Sequence, residues 1–310
     1  MPVFNVEQFV GAAVRSVLTQ SLGDLELLVV DDGSTDGTLA VLRQITDPRL
    51  RLLGGAHGGP AAVLNRAVHA ARGRYVAFLD GDDLWSADKL ACQVEYMEKH
   101  RDADLTFSLA RVIDEDGADL GPTTRSASAP LSFRDLLVDN IIGNGSSVVA
   151  RRDALLRAGE FDPALPGCYD LDVWLRLALP RPGNIHCLPR VLTYYRRRRG
   201  QLTKDWRLMQ LGWTRLLRKM RSLAPSDTKP VRRLASSNMY RYLAYIAYEN
   251  GSLLWPPVHL CRAFLYSPLR FLIDRRNYML LLGWAASVAL PRKLRLRLEH
   301  AVRKTKRGGE

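Results

Sequence analysis

A chain of 310 residues with 47% hydrophobic content is long enough for one sizeable α/β core plus an extension, without staples. Its four cysteines are scattered with no Cys-x-x-Cys spacing, so neither a disulfide framework nor a cysteine zinc site is indicated, and a reducing, cytoplasmic setting is the default expectation. The net charge of +13 is divided: residues 1–195 carry 19 Lys+Arg against 26 Asp+Glu, and residues 196–310 carry 26 against 6, so the halves face different partners.

In chain order, Pro2-Val3-Phe4-Asn5 leads into apolar spacing that predicts a helix over 7–19. An apolar, β-prone run over 25–30 then closes in Asp31-Asp32-Gly33-Ser34-Thr35-Asp36. Helices are predicted over 38–45 and 60–71. A second β-prone run over 75–79 closes in Asp80-Gly81-Asp82-Asp83, followed by a predicted helix over 83–101 with Ser86 as its N-cap. Asp114-Glu115-Asp116-Gly117 and the Ser/Thr-rich stretch 122–130 read as a mobile loop suited to a lid. Gly143-Asn144-Gly145-Ser146-Ser147 leads a strand over 148–150. No internal repeat is visible. No Gly-x-Gly-x-x-Gly follows the first strand, which argues against a dinucleotide dehydrogenase.

Both acidic clusters sit at the carboxyl ends of runs read as parallel strands covered on two faces, the edge where open α/β sheets bind ligands. Two carboxylate-rich loops on one edge repel unless a cation or a donor-rich ligand separates them. Carboxylates suit Mg²⁺ or Mn²⁺, which reach proteins through one or two carboxylates plus substrate phosphates. Asp31 to Asp36 is also good turn and N-cap chemistry, so a turn alone is the lesser alternative for the first cluster by itself.

Pro2-Val3-Phe4-Asn5, the run from Val29 to Thr38, the run from Ala71 to Asp83, Gly159-Glu160-Phe161-Asp162 and Asp172-Val173-Trp174-Leu175-Arg176 together resemble the family 2 glycosyltransferases, inverting enzymes of GT-A fold. The resemblance spans residues 2 to about 203. It implies a Rossmann-like α/β architecture, a mixed sheet flanked by helices over 1–203, followed by a basic helical extension over 204–310. It also implies a hexosyltransferase-type enzyme. The donor is a nucleotide-sugar, taken as a UDP-sugar, and the acceptor is a hydroxyl of a glycan or lipid-linked glycan in surface polysaccharide or glycolipid synthesis.

By the same resemblance, Asp32 accepts from uracil, Phe4 stacks on the base with Glu7 nearby, Asp80 lies toward the ribose, and Asp82 binds the metal that bridges to the diphosphate. Asp83 reads as a helix-start carboxylate favoured by the macrodipole. Asp170 aligns with the family's Glu-Asp pair and is the expected base, with Tyr169 at the Glu position. Asp172, two residues on and about 200° around a helix, caps it or pairs with Arg176 at i+4. In Arg196-Arg197-Arg198-Arg199, Arg198 stands at the family's His position; the run either clamps the donor diphosphate or a lipid diphosphate, or is solvated. His186 reads as structural rather than as a further metal ligand. His57-Gly58-Gly59-Pro60 and Leu64-Asn65 depart from the family's Asn-x-Gly and Arg-Asn pairs. So does the start: relatives carry an apolar inner strand ahead of Pro2, and an upstream segment of about five apolar residues is expected.

The tail interleaves basic with aliphatic and aromatic residues, a pattern for amphipathic helices broken at Pro256-Pro257, Pro268 and Pro291. Its most apolar segment, 278–290, is shorter than the roughly 20 residues that span a bilayer. It is bracketed by Arg275-Arg276 and the basic run 292–297, as for a helix in the interface of an anionic membrane. The alternative is a helical subdomain packed on the catalytic domain. No signal peptide is expected ahead of a segment that is already motif. A peripheral position on the inner face of the cell membrane follows. Two further readings stand beside it: a catalytically inactive membrane-bound scaffold of the same fold, and a nucleic-acid binder. The second is disfavoured because the cations are not grouped with aromatic stacking platforms.

Overall fold

A computed structural model describes residues 1–289 except Ala56 and Arg199. Pro291 and the basic run 292–297 therefore lie outside the described residues, as does Arg199 of the arginine run. The chain divides into two compact units, one of residues 1–136 and 140–198, the other of 137–139 and 199–310. The division falls inside the arginine run, a few residues before the boundary at 203.

The first unit begins with β1 (Pro2–Val3), α1 (Glu7–Leu18), β2 (Leu27–Asp31), α2 (Thr38–Arg43), β3 (Leu50–Leu53) and α3 (Gly59–Ala70). The order β1-β2-β3 makes a parallel three-stranded sheet with β1 at its edge. Every residue of β2 is buried, as its unbroken apolar run requires. In α1, Val10, Ala13, Val14 and Val17 recur at helical spacing and pack against Leu27 and Val29 of β2. Glu7 in its first turn and Arg15 in its last both complement the helix dipole.

There follow β4 (Tyr75–Ala77), β5 (Leu84–Trp85), α4 (Lys89–Lys99), β6 (Leu105–Ile113), β7 (Asp119–Thr123), α5 (Phe133–Val138), β8 (Val148–Arg151), α6 (Arg152–Ala158), α7 (Tyr169–Ala178) and β9 (Ile185–Arg196). The second sheet runs β4-β8-β6-β9-β5, with β7 on β6. It is mixed: β6 and β9 are parallel, and the other pairs are antiparallel.

Four expectations change here. The run 75–79 is not a parallel strand: β4 pairs antiparallel with β8, and Phe78 and Leu79 stay buried beyond it. The helix expected over 83–101 starts only at Lys89. Leu84–Trp85 pair with β9 instead, held by the Trp85 indole donating to Ser146 O at 2.7 Å, so tertiary pairing overrides helix spacing. Asp88, not Ser86, occupies the N-cap position, and the Ser86 hydroxyl donates to Asp88 Oδ1. Part of the expected lid is β7, tied to β6 by the Arg111–Asp119 ion pair at 2.5 Å.

The second unit is helical: α8 (Trp206–Leu223), α9 (Pro225–Glu249), α10 (Trp255–Tyr266), α11 (Pro268–Ile273) and α12 (Arg275–Ala289). Asp205 caps α8 by accepting from Arg207 N and Leu208 N, and Met209, Trp213, Leu216 and Met220 make its buried stripe. Pro256, Pro257 and Pro268 lie in the first turns of α10 and α11, where the missing N–H costs nothing, so they start helices as much as they end them. Ala244, Leu260, Ala263, Phe271 and Leu280 form a small core. His259 is fully buried, enclosed by the rings of Trp206, Trp255 and Tyr240. Among the described residues no helix is long and apolar enough to cross a membrane.

Candidate active site

The end of β2 is a knot of side chain to backbone bonds. Asp31 Oδ2 accepts from Gly33 N and Ser34 N, and Gly33 sits at φ +85°, which only glycine adopts without strain. The 4–7 segment is laced onto this turn: Asn5 N donates to Ser34 Oγ, Thr35 N to Asn5 Oδ1, Glu7 N to Asp36 Oδ2, and Gly37 N to Glu7 Oε2 at 2.9 Å. The Glu7 carboxylate, expected near the nucleotide, thus fastens the turn.

Asp32 is buried and accepts from Gly58 N at 2.8 Å and Gly59 N at 3.0 Å, with His57 Nδ1 at 3.1 Å. The exposed Phe4 ring lies against the His57 ring at 5.2 Å between centroids. Phe4, His57 and Asp32 therefore form one platform with two ring faces and a carboxylate. The residues that depart from the family pattern, 57–59, are those that hold Asp32 in place.

Beyond β4, Asp80, Asp82 and Asp83 bring carboxylate oxygens within 4.8 Å of one another. Gly81 lets the loop lie on β1, since a Cβ there would meet Val3 Cγ1 at 2.8 Å and Val6 Cγ2 at 3.1 Å. Crowding shows in the protonation of the cluster. Burial, then the Asp82 and Asp170 carboxylates, raise Asp80 to about 7, and burial with Asp82 and Asp80 pushes Asp83 well above the usual carboxylate range. Asp83 Oδ2 is buried with no hydrogen-bond partner. Clustered hard oxygen donors, one of them orphaned, fit a small divalent cation such as Mg²⁺ or Mn²⁺. Asp83 is not the helix-start carboxylate expected, because α4 begins six residues later and the dipole of its N-terminus is not at Asp83's position. It belongs to the acidic cluster instead, with Oδ1 accepting from Arg196 N at 2.8 Å.

Two arginines hold this cluster, and they differ. Arg196 is buried and ends β9: its Nε donates to Asp82 O, and its Nη1 to Asp114 O and Glu115 O. Arg198 Nε meets Asp82 Oδ2 at 2.5 Å. Arg197 N donates to Ile113 O, continuing the ladder. Among the described arginines of the run, Arg196 is built into the strand end and Arg198 faces the acidic loop. The positioning role of Arg196 escaped the sequence reading; its one signal was that a β-prone run leads straight into the first arginine, so that residue belongs to the strand.

Asp170 stands in the first turn of α7, with its Oδ1 accepting from Leu171 N, close enough to Asp80 for the carboxyls to repel. Burial raises Asp170 to about 6. Tyr169 beside it is held protonated by burial and by Asp80 and Asp170. Asp172 instead pairs with Arg176 at 2.7 Å, as the i+4 spacing implies. His186 lies at the opposite end of β9 from Arg196, bonded to Tyr96 Oη and Gly183 O, outside the site. Phe4 with Asp32 at the end of β2, and Asp80, Asp82, Asp170 and Arg198 around the β4 loop, account for the remaining expected site residues.

A family model described as Glycosyl transferase family 2 matches residues 1–155. The chain is 32% identical over 219 residues to the putative teichuronic acid biosynthesis glycosyltransferase TuaG of Bacillus subtilis (strain 168), covering 68% of this chain and 83% of that one. It is 42% identical over 101 residues to WfgD of Escherichia coli, a UDP-Glc:alpha-D-GlcNAc-diphosphoundecaprenol beta-1,3-glucosyltransferase, covering 32% of this chain and 40% of that one. In fold it resembles S. aureus TarS 1-349 in complex with UDP-GlcNAc (TM-score 0.54, 18% identity, 93% of this chain and 89% of that one). It also resembles the mannosyltransferase PcManGT of Pyrobaculum calidifontis in complex with GDP-Man and Mn²⁺ (TM-score 0.57, 20% identity, 97% and 83%). The fold is GT-A. A model that matches half of the chain, and a relative that aligns along most of both sequences, lead to one assignment: this chain belongs to glycosyl transferase family 2.

Proposed function

We propose that this glycosyltransferase is an inverting, divalent-metal-dependent enzyme of hexosyltransferase type. It moves a sugar from a UDP-sugar to a hydroxyl of a glycan or lipid-linked glycan in surface polysaccharide synthesis, at the inner face of the cell membrane. The observation that carries the reading is the carboxylate set Asp80, Asp82 and Asp83 beside Asp170. UDP as the nucleotide, and a cell-surface glycan as the product, are supported by the named activities of relatives.

Phe4 and Asp32 receive the base, Phe4 by stacking and Asp32 by accepting an N–H. Glu7 acts through the turn it fastens. Asp80 lies toward the ribose. Asp82, with its two aspartate neighbours, is the metal ligand set, and the cation when bound neutralises the diphosphate. Asp170, raised to about 6, is mostly ionised at neutral pH and still basic enough to take a proton. The acceptor oxygen loses its proton to Asp170 as it attacks the anomeric carbon. The bond to the diphosphate breaks with its electron pair, and the anomeric configuration inverts. Arg198, now against Asp82, supplies positive charge where negative charge builds on the leaving group.

Thermal shifts with UDP, GDP and TDP, each with and without Mn²⁺, test the donor site. Saturation at about 100 times the dissociation constant adds about 2.7 kcal/mol to folding stability, several degrees in midpoint. Stabilisation by UDP that requires metal and disappears in Asp82→Asn is the expected result. No shift with any nucleotide in folded protein would turn the assignment to an inactive scaffold, a reading that Tyr169 at the family's Glu position favours.

A further inference from the structure

The second unit exposes apolar surface that no described element covers. Leu269 is 81% exposed, Ile273 72%, Met279 69% and Leu282 66%, with Leu265 and Leu272 alongside. Six large aliphatic side chains open to water on three helices that touch one another are more than a soluble surface needs. The most exposed of them lie on α11, before the apolar segment 278–290 that the sequence singles out.

Beside this surface is a cavity of about 570 Å³ lined by Arg241, Arg270, Arg275 and Arg276, with Phe271 and Ile273 in its wall. Asp274 is paired with Arg276 at 2.6 Å and lies 3.8 Å from Arg241. Among the described residues, neither Arg270 nor Arg275 has an ionic partner, and both are exposed. Asp139 lies 3.8 Å from Arg276, so four guanidinium groups stand against two carboxylates and the cavity stays net positive. Ile273 lines its wall and also stands among the open apolar side chains.

We infer that α11 and the start of α12 form a membrane-docking wedge, and that the arginine-lined cavity takes the phosphate headgroup of an anionic phospholipid. The geometry matches what a bilayer surface offers, with acyl chains for Leu269, Leu272 and Met279 and phosphates at the depth of the arginines. Guanidinium is suited to the phosphate because it presents paired N–H donors in a fixed plane. Interfacial binding of this kind adds apolar burial to electrostatic attraction, so it weakens with salt without vanishing. The inference rests on the proposed membrane-face position and not on the chemistry at Asp170.

Co-sedimentation of the full chain with vesicles tests it, using phosphatidylcholine alone and phosphatidylcholine mixed with phosphatidylglycerol, at low and high salt. Wild-type protein is expected on the anionic vesicles. The double change Leu269→Glu with Ile273→Glu should lower partition by about tenfold or more on both compositions. Arg270→Gln with Arg275→Gln should remove the preference for phosphatidylglycerol, about tenfold, and leave the weaker binding to phosphatidylcholine. Both variants change exposed side chains, so a melting curve should match wild type, and the metal-dependent UDP shift should be intact. Wild-type sedimentation by the Glu variant would overturn the inference. So would a drop in its melting point, which would mean that the chain covers this face itself, or conversion of a dimer to a monomer in light scattering. Vesicle binding without any nucleotide shift would leave the wedge standing and remove the donor site.

Discussion

The two units treat charge in opposite ways. In the first, Asp82 and Asp83 are buried at the end of an apolar run next to Asp80, and the crowding lifts Asp80 to about 7 and Asp83 well above its ordinary value. In the second, four arginines line a cavity whose wall includes the exposed Ile273, with Asp274 among them and Asp139 beside Arg276. Like charges brought together inside a protein are a stored cost that a ligand of opposite charge relieves. Exposed cations beside apolar surface cost little, and they gain only from a partner that offers both phosphate and hydrocarbon. The contrast separates the proposed site for a small charged ligand from the proposed surface for an extended one.

The sharpest way to break the first half of that comparison is Asp170→Asn, which keeps the shape and removes the proposed base. Transfer from a UDP-sugar should fall by about a thousandfold, with metal-dependent UDP binding unchanged in a thermal shift. In the wild type, the base works only when ionised. Because Asp170 is raised to about 6, initial rates should fall about tenfold per pH unit below that value and level off above it. A profile that stays flat from about one pH unit below that value to about one above it would move the base elsewhere.

Next in size is Arg196→Met. It leaves the backbone oxygens of Asp82, Asp114 and Glu115 without their donor, and should cost about 3 kcal/mol in urea unfolding. Exposed Arg270→Gln should change stability by less than about 0.5 kcal/mol, which restates the contrast between the units as a measurement.

The second unit has its own buried exception. Burial, with Arg262 adding to it, lowers His259 from 6.5 to about 4, and neither ring nitrogen has a hydrogen-bond partner. The unfolded chain therefore takes up the proton first as pH falls. Stability is whole above about 6.5 and drains between there and about 4, by on the order of 1–3 kcal/mol. Urea midpoints measured across that window should flatten in His259→Phe, which keeps the ring packing. Gly81→Ala should have a smaller effect than Arg196→Met: the new Cβ must displace Val3 and Val6, at about 1 kcal/mol, with weaker metal-dependent UDP binding as the second readout.

Much of the site was legible because it obeys local rules. Each acidic cluster follows an apolar run, which puts Asp32 just past the end of β2, whereas Asp80 and Asp82 lie beyond the shorter, antiparallel β4, and the roles expected of all three come from the family resemblance. Asp172 and Arg176 were readable as a pair because helical spacing alone sets i and i+4 on one face. Asp83 was misread for the same reason that helps elsewhere. The stretch 83–101 has acceptable helix character, and nothing local reports that Trp85 will be pulled into β5 by a strand more than a hundred residues away.

Local chemistry by itself therefore determined α1, β2, α2, α3 and β8 of the first unit, the helical character of the tail and the turn at Asp31 to Asp36. Tertiary structure alone decided which of four consecutive arginines is buried, where the sheet turns antiparallel, and which apolar residues of the tail meet water. Those outcomes depend on partners distant in sequence. Arg196 is buried because β9 runs beside β6 and carries it to the acidic loop, and Leu269 is exposed because the other face of its short helix, through Phe271, is the one that the core takes.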